Sequence, residues 1–397
     1  MQNTQKCLVL GAGATGKAMC APLFQKMGCA VLFADSDAAA CADIARRGGY
    51  IVETARGTGL APREVRGVFA VLPDSEAAAS FAREADYIAT AVGAENLPAA
   101  ARCIARWVAA RPAGRRLNIL LFENGQDAAK TVRARLADAR GNLPEGVGVS
   151  LVSVEQVAKK LPRPEGCVDV VAEEFLPPAV TRREVADTPL ARESEFLALV
   201  DDAARYDARR LYVHTLAQAT LGYLGVRRRY RTSHEAAADP GILDALLALW
   251  DAVGEMARLK YGFSEREMDA YFAGRLEVYR NAALADPLTR LVRDPLRKLS
   301  RGERIIGAAA LCRDYGISTD AFAPLLYSAV NFFDFRDEQS IRLSILKERK
   351  GVEGVLKEVC GLDPELPMEG ICNTNDEAGY LMERLEQQGV SCLDLRE

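Results

Sequence analysis

Two regimes of apolar spacing divide the chain. In its first half the apolar residues come in short, nearly unbroken runs: Lys6 to Leu10, Ala30 to Ala34, Val68 to Leu72, Tyr87 to Val92, Leu117 to Phe122 and Val149 to Val154. Runs of this length, separated by helical stretches, predict strands of a parallel sheet covered on both faces. After Pro177-Pro178 the period becomes helical. Asp239-Pro240 predicts an N-cap and a first-turn proline, and Ile242, Leu243, Leu246, Leu247, Trp250, Val253 and Met256 then recur on one face until Gly262. Ser264 with Glu267, and Ser300 with Glu303, each predict a capping box and a helix start. The stretch from Ile345 to Gly389 predicts two helices joined by a polar turn. The expected architecture is α/β: a doubly wound parallel sheet over residues 1–190, then a mainly α-helical domain over 191–397.

The first run leads into Gly11-Ala12-Gly13-Ala14-Thr15-Gly16, with a helix expected to begin near Thr15. The first glycine permits the tight turn, the second lets backbone approach a diphosphate, and the third lets helix pack on strand. The helix start aims unpaired N–H groups at the phosphates. The second run ends in Asp35, about 20 residues beyond Gly16, where a carboxylate accepts from ribose hydroxyls. Together these predict a Rossmann-type domain that binds NAD. The Asp35 charge repels the extra phosphate of NADP, although the neighbouring Ser36 leaves some tolerance. The bland alternative is a domain that keeps this fold and has lost its ligand. Two later strand ends, Thr90-Ala91-Val92-Gly93 and Glu123-Asn124-Gly125, add Ala91, Val92 and Asn124 as expected cofactor contacts, or serve as turns alone.

With 397 residues, 49% of them hydrophobic, the chain has enough apolar surface for a large core. A net charge of −4 argues against a nucleic-acid footprint. No basic leader with an apolar stretch and no run of 18 apolar residues occurs, so the expected location is the cytoplasm, without a membrane partner. The ten cysteines include no CxxC pair and read as reduced core thiols. His214 and His234 are the only histidines and lie too far apart for a helical ligand pair, so no metal site is expected.

The segment Arg290-Leu-Val-Arg293-Asp-Pro-Leu-Arg297-Lys298-Leu-Ser300 resembles the arginine-rich loop of the polyol-specific long-chain dehydrogenases, the mannitol-1-phosphate 5-dehydrogenase branch most of all. The resemblance extends, in order, over Gly11 to Gly16, Phe33-Ala34-Asp35, Thr90 to Ala94, Glu123-Asn124 and Tyr223-Leu-Gly225, and so spans nearly the whole chain. It implies a metal-independent, NAD-dependent oxidoreductase that moves a hydride between nicotinamide and a polyol or its phosphate. It further implies a helix bearing a lysine base, an asparagine five residues on and a histidine three beyond that. Here those positions hold Arg210, Thr215 and Gln218, and no lysine occurs from Ala203 to His234. Arginine has no acceptor and stays protonated, so it is no substitute base. A second family segment falls on Ala158 to Pro162 and lacks its acid.

Several residues are candidates for the vacant role. On a regular helix Arg210, His214 and Gln218 share one face, which makes His214 a substitute base kept neutral by the adjacent cation, or else a structural histidine. Lys159 or Lys160 is a second candidate base, or a solvated basic turn. Asn124 matches the family's amide at the oxyanion position. Arg293, Arg297 and Lys298 are the expected anchors for an anionic polyol or sugar substrate, because guanidinium groups bind phosphate or carboxylate with paired hydrogen bonds; a charged capping loop is the alternative. Arg227-Arg228-Arg229 reads as a solvated loop. Three functions remain open: a polyol dehydrogenase with an altered catalytic helix, an oxidoreductase in which Arg210 grips an acid group, and a non-catalytic NAD-binding sensor or partner protein.

Overall fold

The structure is a computed structural model that describes residues 4–56, 59–112, 114–123, 127–156, 158–160, 169–173, 177–186 and 196–362, without the side chains of Arg56, Lys159 and Lys160. The chain forms two compact units, Met1–Ala208 and Arg209–Glu397.

The first unit is built on an eight-stranded sheet. Its strands are β1 (Lys6–Leu10), β2 (Ala30–Ala34), β5 (Phe69–Val71), β6 (Tyr87–Thr90), β7 (Leu117–Leu121), β8 (Val147–Ser153), β11 (Ala179–Thr181) and β12 (Ala198–Val200), in the order β12-β11-β8-β7-β6-β1-β2-β5. From β5 to β8 the pairing is parallel; β11 runs antiparallel to β8. The alternation along β1 explains why its sequence is apolar throughout. Cys7 and Val9 enter one buried cluster, Leu8 and Leu10 the other, so each face of the sheet has its own core. Phe24 and Phe33 lie on the first side, Ile104 and Trp107 on the second.

All six expected strands are present, within a few residues of their expected ends. A second sheet was not foreseen. It has the order β4-β3-β10-β9, with β3 (Gly49–Arg56) and β4 (Gly59–Arg66) forming an antiparallel hairpin, and β9 (Ala158–Lys160) and β10 (Val170–Ala172) completing it. Its longest strands carry Glu53, Arg63, Glu64 and Arg66, which break the apolar runs that mark the main sheet.

The second unit is helical. The helix Pro240–Tyr261 begins as expected: Asp239 accepts from Ile242 N–H at 3.0 Å, and its other oxygen takes the Tyr230 hydroxyl at 2.9 Å while Arg228 pairs with it. Ser264 and Glu267 form the expected capping box of the helix Glu265–Arg280. The one expected at Ser300 and Glu303 does not form, and the next helix starts at Ile306. Other partners compete successfully there: the Ser300 hydroxyl donates to Arg297 O at 2.8 Å, and the Glu303 carboxylate is held by Arg297 and Arg304. The helix Thr215–Arg227 approaches the short helix Leu288–Val292 so closely that a Cβ at Gly222 would lie 3.0 Å from Leu291 and Val292, and one at Gly225 2.6 Å from Leu288. That contact accounts for Tyr223-Leu-Gly225. The triplet Arg227–Arg229 is not simply solvated, since Arg228 pairs with Asp239 and Arg227 stacks on Tyr327. The helix Glu338–Glu358 covers the start of the expected C-terminal pair; its second member lies outside the described residues. Among the described residues no helix is long and apolar enough to cross a membrane.

Asp239 is partly buried, which by itself raises its carboxyl, but Arg228, the Ile242 N–H and the Tyr230 hydroxyl outweigh burial and hold it below the usual carboxylate range. Its stabilising contribution is therefore present at neutral pH and lost as pH falls below about 4. Asp239→Ala is expected to cost about 1–2 kcal/mol through the lost cap, and Asp239→Asn less, because asparagine caps equally well. Urea unfolding at pH 7 and pH 3 checks this: the gap between wild type and Asp239→Ala should narrow at pH 3.

Candidate active site

In the first unit the glycine turn behaves as its spacing requires. Gly11 has φ 97°, and a Cβ there would collide with the carbonyl of Ala91; a Cβ at Gly16 would collide with the carbonyl of Gly11. At Gly13 the nearest atom to such a Cβ is Ala91 O at 3.9 Å, so this middle glycine leaves its side open. Helical structure starts at Ala14, one residue before the expected Thr15, and Gly16–Cys20 is wound as a π-helix. Asp35 lies at the end of β2 with Oδ2 on Ala12 N–H at 2.5 Å and Oδ1 on Asp37 N–H at 2.8 Å. A carboxylate has about four acceptor sites, so two remain for ribose hydroxyls.

The loop after β6 is fixed by a residue that its neighbours concealed. Glu123, only 5% exposed, follows β7 and accepts from the N–H groups of Val92 and Gly93, each at 2.9 Å. Burial raises its carboxyl above the ordinary range, against those two donors. Ala91 N–H is also spent, on Leu10 O at 2.7 Å. The backbone N–H groups of Ala91 and Val92 are thus already paired within the protein. Asn124 lies outside the described residues, and so does the side chain of Lys159, although its backbone is in β9. An apolar strand ending in Glu-Asn is the only sequence signal for Glu123.

In the helical unit Arg210–His214 is a second π-helical segment, leading directly into Thr215–Arg227. Thr215 N–H bonds to Arg210 O, five residues back, so Thr215 rather than His214 stacks over Arg210. The expected shared face of Arg210, His214 and Gln218 is corrected accordingly. Arg210 and Gln218 are half-buried, while His214 is 5% exposed and stacks on Tyr279 with ring centroids 5.7 Å apart. Its Nδ1 is 2.6 Å from the Tyr279 hydroxyl, which donates to His214 O at 3.1 Å. Burial, and then the guanidinium groups of Arg275, Arg210, Arg290 and Arg304, depress the imidazole pKa well below its usual value.

The arginine-rich segment is tied down through its carbonyls. Tyr223 donates to Val292 O at 3.0 Å; Lys298 Nζ donates to Leu291 O at 2.6 Å and also to Arg293 O. Asp294, in the left-handed region at φ 59°, gives its N–H to Asp337 at 2.8 Å. Lys298 is 4% exposed, and two of its three N–H donors are spent on carbonyls inside the loop, a structural role beside the expected one of substrate anchor. Arg297 bonds to Asp294 and Glu303, both at 3.2 Å. Arg293 projects outward, 66% exposed, with Asp294 at 3.9 Å. Of the three expected anchors it is the most exposed, ahead of Arg297 at 46%.

The family model for the mannitol dehydrogenase Rossmann domain matches residues 5–188, and that for the mannitol dehydrogenase C-terminal domain matches 202–359. The chain is 30% identical over 377 residues to mannitol-1-phosphate 5-dehydrogenase of Brevibacillus brevis, covering 91% of this chain and 95% of that one. The same enzyme of Paenarthrobacter aurescens is 28% identical over 373 residues, covering 91% and 96%. Among solved structures, mannitol 2-dehydrogenase of Pseudomonas fluorescens, in a ternary complex with NAD and D-mannitol, shares the fold with a TM-score of 0.72 at 16% identity, covering 97% of this chain and 95% of that one.

Burial, followed by the charges of Arg304 and Arg297, lowers Lys298 to about 7. An unfolded lysine titrates near 10.4, so between those limits the unfolded chain binds more protons, and stability rises with pH from about 7 to about 10. Lys298→Met is expected to flatten that rise and to loosen the loop. Urea midpoints at pH 7 and pH 9 measure it; an equal rise in the variant would refute the assignment.

Proposed function

Because the chain belongs to the mannitol dehydrogenase family, we propose that it is an NAD-dependent oxidoreductase interconverting an anionic polyol, as a polyol phosphate or sugar acid, with its keto form. The observation that carries this reading is the glycine turn, open at Gly13 and flanked by Asp35, which fits a dinucleotide. Bound NAD supplies the hydride acceptor. The protein's residues must then hold the substrate and receive the hydroxyl proton. Arg293 is our anchor for the anionic group, with Arg297 beside it. The net charge of −4 supports a small-molecule substrate and no nucleic acid, and we place the reaction in the cytoplasm without metal.

For the proton we propose His214. With the Tyr279 hydroxyl donating to His214 O, the ring's Nδ1–H faces the tyrosine oxygen and Nε2 keeps the lone pair a base needs. The depressed pKa keeps the ring neutral. Lys159 is the alternative base, and Asn124 is our donor to the developing alkoxide. Arg210, in place of the family lysine, and Gln218 supply polar groups on the same helix and favour a carboxylate-bearing substrate over a neutral one. The second reading is a non-catalytic NAD-binding sensor, favoured by the simultaneous change of the three family positions to Arg210, Thr215 and Gln218.

Asp35→Ala is expected to weaken NAD binding about tenfold or more and NADP binding much less; equal losses in titrations with both cofactors would remove the NAD assignment. NADH consumption with ketose phosphates, free ketoses and keto acids tests the activity: turnover on an anionic member supports the enzyme, and NADH binding without any turnover supports the sensor. On an active substrate His214→Ala should lower kcat about 100-fold or more while NADH affinity persists. Wild-type kcat should stay level as pH falls through 6.5, because the imidazole titrates lower. Unchanged turnover in the variant would move the base elsewhere.

A further inference from the structure

We propose that Glu123 is a positioning residue for the cofactor: its carboxylate holds the loop after β6 against the glycine turn and so fixes the surface on which the dinucleotide lies. The inference rests on the NAD reading above but not on any substrate. Its geometry forms one chain of contacts. Both carboxylate oxygens are used, Oε1 on Val92 N–H and Oε2 on Gly93 N–H. The preceding residue, Ala91, presents its carbonyl to Gly11 so closely that only glycine fits there. Gly11 O in turn meets Gly16, and Asp35 takes Ala12 N–H from the other side. A shift of the Val92–Gly93 backbone would therefore move the wall of the glycine turn.

A loop of this kind needs no buried charge, since a neutral side chain can close it. Glu123 is 5% exposed, and among the described residues no cation pairs with it, so the Val92 and Gly93 N–H groups, with the Thr90 side chain beside them, hold the carboxylate. A buried carboxylate placed at the strand ends that face a dinucleotide is an expensive arrangement for a turn alone. Cys20, on the π-helical segment after Gly16, is the titratable group coupled to it, and burial drives that thiol far above neutral pH.

The test is fluorescence titration of NADH into wild type, Glu123→Gln and Glu123→Asp, with thermal unfolding of each. Glu123→Gln keeps the shape but can no longer accept with both atoms, and is expected to weaken NADH about tenfold. Glu123→Asp, charged but shorter, should fall between them and decides the matter if the glutamine variant does not fold. Wild-type affinity should drop as pH falls through the raised carboxyl titration, and Glu123→Gln should lose that part of the dependence. Every other group is common to both proteins, so the difference isolates Glu123. Wild-type NADH affinity in both variants would overturn the inference while leaving the NAD reading intact. Absence of NADH binding by wild type would overturn both.

Discussion

The constraint on which the first unit depends is a close approach of backbone to backbone. The carbonyl of Gly11 lies where a Cβ of residue 16 would be, and the carbonyl of Ala91 lies where a Cβ of residue 11 would be. The end of β1 and the helix start a few residues on meet the loop after β6, which is about 80 residues away in sequence, backbone to backbone. The N–H groups brought so near are paired: Gly11 N–H on Ala34 O at 2.9 Å, Ala91 N–H on Leu10 O, Val92 and Gly93 N–H on Glu123. The open side of Gly13 follows from this arrangement, because its neighbours are fully occupied with one another.

The helical unit solves a similar problem with long polar side chains. Its arginine-rich segment is irregular, so its carbonyls have no ladder to enter. Tyr223 and Lys298 supply the donors from within the protein, and Asp337 takes the Asp294 N–H. The small residues Gly222 and Gly225 let the helix bearing Tyr223 come near enough to reach. Cations then accumulate. Arg275, Arg210, Arg290 and Arg304 all act on His214, and Arg304 and Arg297 depress Lys298. Asp286, Asp294 and Glu303 offset part of that charge through ion pairs with Arg290, Arg297 and Arg304. The unit thus concentrates positive potential where an anionic substrate is proposed to bind.

Both π-helical segments, Gly16–Cys20 and Arg210–His214, fall on stretches singled out for function. A π-turn inserts one residue into the helical register, and such turns often mark functional sites. At Arg210 the consequence is concrete. The residue stacked over the arginine is Thr215, and His214 swings into the interior onto Tyr279. Spacing counted on a regular helix brings His214 and Arg210 together instead, so the local winding decides which residue lies over the arginine.

The sequence by itself determined the parallel sheet, the nucleotide turn and the caps at Asp239 and Ser264. Each of these depends on neighbours within a few residues: an unbroken apolar run is buried on both faces wherever it goes, and a cap bonds only to its own first turn. It also carried the family pattern. Tertiary structure decided the rest. Ser300 with Glu303 has the pattern of a cap, yet Arg297 and Arg304 reach those groups first. Lys298 has the look of a ligand for anions, yet three-dimensional proximity spends it on two carbonyls, and Glu123 looks like a turn residue until Val92 and Gly93 are seen against it. A polar side chain takes the strongest partner within reach. For Ser300, Glu303 and Lys298 an irregular turn brings that partner from within seven residues, whereas Val92 and Gly93 lie 31 and 30 positions from Glu123 and meet it only when the chain has folded.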